Sequence, residues 1–182
     1  ETPAWPEADN DAKHAIEAAV RLLSSTCRKE TLPDPFSEII DYHGAVFSAE
    51  NSYYYRPFLE NHFGLLSEKL RDRLVTSKTT LASDYIAALN AREEIYKSLD
   101  HLLNQYDAVL CLAATGAAPV GFETTGSAIF NGLWTYLGVP CLSLPLLTSD
   151  GMPLGLQLIG KREGERNLFG AARWLEEYLN NL

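Results

Sequence analysis

At 182 residues the chain is long enough to bury the core of one ordinary domain. Hydrophobic residues make up 46%, charged residues 21%, and glycine and proline occupy 12 and 9 positions, a globular balance that excludes disordered and fibrous classes. A net charge of −9 argues against nucleic acid or an anionic membrane as the partner, and three cysteines (Cys27, Cys111, Cys141) are too few for a disulfide scaffold.

The acidic, proline-bearing start has no signal-peptide character, so the expected compartment is the cytoplasm, with reduced thiols. Ile16, Ala19, Val20 and Leu23 mark one face of a first helix, with Asp9 or Asn10 as its cap. Cys27–Leu32 is an edge-strand candidate. Asp34-Pro35 pairs a cap with proline at the first helical position, and opens a second helix through about Tyr55. A short helix follows Ser67. The strongest periodicity runs over Ser83–Leu103, where Tyr85, Ile86, Leu89, Ile95, Tyr96 and Leu99 recur at three- and four-residue steps.

Beyond Gly116 the character changes. Ten of the twelve glycines lie from there onward, and between Ala108 and Gly160 the only charges are Glu123 and Asp150. Ala108–Leu112 is a buried-strand pattern. The uncharged stretch Ala128–Leu147 contains Asn131, Gly132, Gly138, Pro140 and Pro145, so it reads as soluble core rather than a membrane span. Cys141–Leu147 and Met152–Ile159 flank Asp150-Gly151, a hairpin signal, and Leu168, Ala172, Leu175 and Leu179 mark a last helix. The expected fold class is α/β: a mixed sheet with a C-terminal antiparallel hairpin, covered by helices. The expected organisation is a single domain over 1–182, with 1–106 mainly helical cover and 107–182 the sheet-forming part.

Local motifs for chemistry are few. No glycine-rich nucleotide loop, C-x-x-C or H-E-x-x-H occurs, and His14, His43, His62 and His101 lack ligand spacing, so neither metal nor cofactor is expected. Asp100-His101 are helix neighbours pointing about 100° apart, a surface pair rather than a dyad. Cys111 and Cys141 sit in apolar runs with no nearby cation and read as core thiols. Tyr53-Tyr54-Tyr55 has no basic residues interleaved and reads as helix packing.

The segment Thr124–Gly160 carries the most information. It combines Phe130 and Trp134 at helical spacing, Gly138-Val139-Pro140, Leu144-Pro145, Gly151-Met152-Pro153-Leu154-Gly155 and Gln157-Leu158-Ile159-Gly160. This succession resembles the C-terminal portion of the amidase signature family of amide hydrolases. Tyr106-Asp107-Ala108-Val109-Leu110, Asp84-Tyr85-Ile86-Ala87-Ala88-Leu89-Asn90-Ala91-Arg92 and Glu1-Thr2-Pro3-Ala4-Trp5 extend the likeness over nearly the whole chain.

The resemblance implies a partial amidase-signature fold whose parent hydrolyses carboxamide C–N bonds by serine acyl transfer. It implies that Phe130, Asn131, Trp134 and Thr135 lie at a wall of the substrate pocket; packing alone also explains Phe130 and Trp134. Catalysis in that family uses a nucleophilic serine, a second serine in a cis peptide and a lysine, with a Gly/Ser-rich loop for the oxyanion. No such loop occurs in these residues. Ser24-Ser25 lacks flanking glycines, and the six lysines stand in charged or terminal settings, so no catalytic residue is assigned. Ala128 stands where A subunits of tRNA-dependent amidotransferases place an acid two residues before the phenylalanine, which weakens a glutaminase-type reading.

The expectation is therefore the C-terminal part of an amidase-like hydrolase, inactive alone. The rivals are a non-catalytic small-molecule binding or assembly domain and a piece resembling an amidotransferase A subunit. Expected partners are a small amide or carboxylate ligand, an N-terminal catalytic segment in trans, and further copies of the chain, joined through Ala108–Leu112, Cys141–Ile159 or the aromatic helices. Nucleic acid and membrane are not expected.

Overall fold

The computed structural model describes residues 1–23 and 25–181; Ser24 of the Ser24-Ser25 pair lies outside the described residues. Seven α-helices occur among them: α1 (Asn10–Leu22), α2 (Ile39–Tyr54), α3 (Arg56–Asn61), α4 (Glu68–Ser77), α5 (Ala82–Leu103), α6 (Ile129–Leu137) and α7 (Glu165–Asn180). Three strands join them: β1 (Val109–Leu112), β2 (Cys141–Ser149) and β3 (Met152–Ile159). None of the helices is long and apolar enough to cross a membrane.

Local sequence accounts for the element boundaries. Asp9 precedes α1 in an extended conformation, and the Ser67 hydroxyl accepts a hydrogen bond from the Leu70 amide at 3.3 Å to open α4. Asp34-Pro35 starts a 3-10 turn, Asp34–Glu38, that leads directly into α2. Gly138, at φ 64°, ends α6; its amide bonds the Thr135 carbonyl, and the Val139 amide that of Trp134.

The sheet order is β1-β3-β2, and both pairings are antiparallel rather than mixed, because β3 lies between β1 and β2. The expected hairpin is present: Asp150 and Gly151, at φ 47° and 72°, form the two-residue loop with both central residues left-handed. On β2 the register steps from Leu144↔Leu156 to Leu147↔Leu154, so a bulge beside Pro145 absorbs one extra residue. Proline is tolerated there because β2 is an edge strand and Pro145 donates nothing to a ladder. Cys27–Leu32 forms no strand, contrary to the expectation; it is irregular backbone that shares no ladder with β1 or any other strand.

Helices cover both faces. Leu110, Leu158 and Leu142 pair across the sheet in one row, and Leu110 and Leu158 share a cavity with Ile16 of α1 and Leu175 of α7. The adjacent row, Cys111, Gln157 and Ser143, projects to the opposite face, where α6 lies. Behind α6 pack α2 and α5. Phe36, Leu99, Leu133, Trp134 and Leu137 are fully buried in these helices and the turn before α2. The α2–α6 contact is close at Gly132, where a Cβ would fall 2.8 Å from His43 Cε1.

One charged residue fixes α6 from outside. Arg162 Nε and Nη2 donate to the Leu137 carbonyl at 2.9 and 2.7 Å, and Nη1 donates to both oxygens of the Glu93 carboxylate at 2.9 Å. Its guanidinium lies 3.8 Å from the ring centroid of Tyr96, whose hydroxyl accepts from the Arg162 amide. The arginine thus satisfies a terminal carbonyl of α6 while joining it to α5. Arg162→Ala is expected to lower unfolding stability by about 2 kcal/mol, with Arg162→Lys recovering only part because it cannot reproduce the planar fork. Urea unfolding of the three proteins checks this.

Candidate functional site

The candidate site lies where β1 ends and α6 begins. A chain of polar contacts crosses the sheet there. The Cys111 thiol donates to Gln157 Oε1 at 3.3 Å, Gln157 Nε2 donates to Asn131 Oδ1 at 2.8 Å, and Asn131 Nδ2 donates to the Ala113 carbonyl at 3.1 Å. Side chains thereby add to the β1–β3 ladder and tie α6 to both strands. Gln157 is only 5% exposed, so both ends of its amide must be satisfied inside the protein, and both are.

Close packing shapes the floor around this chain. A Cβ on Gly155 would meet Ser143 Oγ at 2.2 Å and the Ala113 methyl at 2.8 Å, so only glycine lets β1, β2 and β3 approach this closely. Further out, the Asp9 amide donates to the Thr115 carbonyl at 2.7 Å, and a Cβ on Gly116 would collide with the Asp9 carboxylate. The N-terminus of α1 therefore pins the start of the 113–128 segment. That segment then stands open to solvent, with Val120 and Phe122 fully exposed.

The four pocket candidates from sequence occupy different places. Asn131 belongs to the floor. Phe130, wholly buried, lines the cavity along β1 and contributes to the core. Trp134 is 1% exposed, with its ring centroid 6.4 Å from that of Phe36. Thr135 is exposed on α6. The sequence places Cys111 in the core and Gln157 in a motif, but gives neither of them, nor Ser143, a place at the site. The available signal was the glutamine itself: one polar side chain inside the apolar run Met152–Ile159.

The two thiols of the sheet are not poised for nucleophilic work. Burial pushes the Cys111 thiol up to about 12 and Cys141 to about 11, so both stay protonated at neutral pH. Lys161 pairs with Asp100 at 3.3 Å, Lys97 with Glu94 at 2.7 Å and Lys29 with Glu1 at 2.6 Å. Among the described residues no group of three or more His, Cys, Asp or Glu could hold a metal ion.

No protein-family profile matches the chain. Among curated proteins it is similar to the A subunit of the glutamyl-tRNA(Gln) amidotransferase of Thermotoga maritima, 31% identical over 126 residues, covering 60% of this chain and 26% of that one. Among solved structures it superposes on an amidase with a TM-score of 0.85 at 23% identity, covering 96% of this chain and 43% of the amidase. A bacterial aryl acylamidase of the amidase signature enzymes family gives a TM-score of 0.72 at 14% identity, with 94% and 41% covered. The chain thus spans about a quarter of the length of the curated relative it matches.

The polar chain predicts unequal substitution effects. Gln157→Leu leaves the Asn131 carbonyl oxygen and the Cys111 thiol without that partner, and should cost about 2 kcal/mol. Gly155→Ala, which must separate strands rather than displace one flexible side chain, should cost about 1–3 kcal/mol. Denaturant midpoints measured at constant slope distinguish these from the near-neutral change expected for exposed Thr135→Ala.

Proposed function

We propose, from the premise that this chain corresponds to a C-terminal portion of the amidase-signature family, that it forms one wall of a hydrolase of carboxamide C–N bonds. The observation that carries the reading is the preorganised floor at the end of β1. Asn131 is held at both ends of its amide, yet its Nδ2 carries a second N–H that makes no hydrogen bond among the described residues. Such a donor, half-exposed on a rigid helix start, suits the carbonyl oxygen of a small amide or carboxylate ligand.

Phe130 and Trp134 support this wall from beneath by fixing α6 against the sheet and α2. Thr135, one turn beyond Asn131 on α6, is exposed to solvent. The acyl-transfer step itself requires an activated nucleophile, a base and oxyanion donors, and in this reading those come from polypeptide outside residues 1–182. The protonated sheet thiols support assigning this chain a binding and positioning role.

Ammonia release from a panel of simple carboxamides tests the reading, using the pure chain and the chain mixed with the part of the Thermotoga maritima protein that it does not match. The expected result is no release from the chain alone and release from the mixture, with KM raised by Asn131→Ala. Release by the chain alone, abolished by a serine-directed reagent, contradicts it. So does ligand-induced thermal stabilisation with no turnover in either preparation, which instead favours a non-catalytic binding domain.

A further inference from the structure

His43 lies where α2 presses on α6. The Nδ1–Cε1 edge of its imidazole rests on Gly132: a Cβ there would fall 2.8 Å from Cε1 and 2.9 Å from Nδ1. Glycine inside a helix costs about 1 kcal/mol against alanine, and here it makes room for this ring. The imidazole is half-buried, and no side chain among the described residues hydrogen-bonds to it. Burial lowers its pKa, so at neutral pH it is uncharged and offers one donor and one acceptor. A polar ring partly withdrawn from water is costly to leave without a partner. Phe47, one turn further along α2, keeps its ring 5.7 Å from the imidazole and is 44% exposed.

Helix geometry sets this ring opposite Asn131. Successive helical residues point about 100° apart, so Asn131 and Gly132 bound an arc of α6. Thr135 points within that arc and is exposed, as is Ala128 at the helix start. Around a helix about 11 Å in diameter, such an arc spans about 8 Å. A carboxamide that accepts a hydrogen bond at its oxygen and donates one from its nitrogen bridges about the same distance between its two partners. We propose that His43 is the second polar anchor of the candidate site, and that its ligand is an aromatic carboxamide lying over Thr135. The amide oxygen accepts from Asn131 Nδ2, whose second N–H is free among the described residues, and the amide nitrogen donates to the His43 imidazole. The aromatic ring of the ligand lies against Phe47. This arrangement selects an amide over the matching acid, because a carboxylate has no N–H to give an acceptor. The inference deepens the carboxamide reading and rests on the ligand of that reading, not on turnover.

The test titrates the 182-residue chain at neutral pH with benzamide and, separately, with benzoate, following the His43 ring nitrogens and the Asn131 side-chain NH₂ by NMR. Benzamide should move both signals along one binding curve, and benzoate should bind about tenfold more weakly. His43→Phe keeps a ring on Gly132 and removes both nitrogens; it should weaken benzamide about tenfold and erase the preference over benzoate. His43→Gln returns an acceptor and should recover part of both. Benzamide binding unchanged in His43→Phe overturns the proposal, since packing alone would then explain the ring. So does a benzamide shift at Asn131 without one at His43, or no shift at either. In those cases ammonia release by the mixed preparation still upholds the hydrolase reading. Both signals shifted by benzamide, with no release from the mixture, refutes the hydrolase reading and leaves the His43 anchor standing.

Discussion

The amide of Gln157 is the constraint on which the candidate site depends. Among the described residues it sits on the one strand paired on both sides, and it is 5% exposed. By accepting from Cys111 and donating to Asn131 it fixes where β1, β3 and the start of α6 stand relative to each other. An apolar residue there would leave α6 free to slide on a greasy face, since hydrophobic contact is non-directional. Two hydrogen bonds at defined geometry remove that freedom.

The rest of the fold works around this link. Arg162 holds the C-terminal end of α6 through the Leu137 carbonyl, so the helix is fixed at both ends and its nine residues can present Asn131 without relying on their own length. Phe36 against Trp134, and His43 against Gly132, set its distance from the 3-10 turn before α2 and from α2 itself. Gly155 lets the strands come together beside Ser143 and Ala113. On the other face the packing is incomplete: α1 and α7 cover the leucine row, but the edge of β1 opens into a large cavity.

Much of this was legible in the residues. The long α5, the last helix and the Asp-Gly hairpin all appear where periodicity and turn chemistry place them, because each is set by contacts within a few residues. The family resemblance, carried by the Gly-x-Pro and Gly-Met-Pro-Leu-Gly pieces, agrees with the structural neighbours. What was not legible depends on partners distant in sequence. Cys27–Leu32 has strand character but no strand beside it, and β3 inserts between β1 and β2, which makes every pairing antiparallel. The Gln157–Asn131 bond spans 26 positions, so no local pattern announces it; only the polarity of one residue in an apolar run hints at it. Helical spacing puts Phe130 with Trp134 and Asn131 with Thr135 on two adjacent faces, but only the tertiary structure shows that the first pair is buried and that Thr135 is exposed.

The side-chain amide signals of Gln157 and Asn131, measured by NMR on the intact chain, test the central claim most directly. If the polar chain holds the site, both NH₂ groups give dispersed signals, the Gln157 protons exchange slowly with water, and a cross-peak joins the two residues. Signals at unstructured-peptide positions, exchanging with water at the rate of a free amide, would show that α6 and the sheet are not joined in this way.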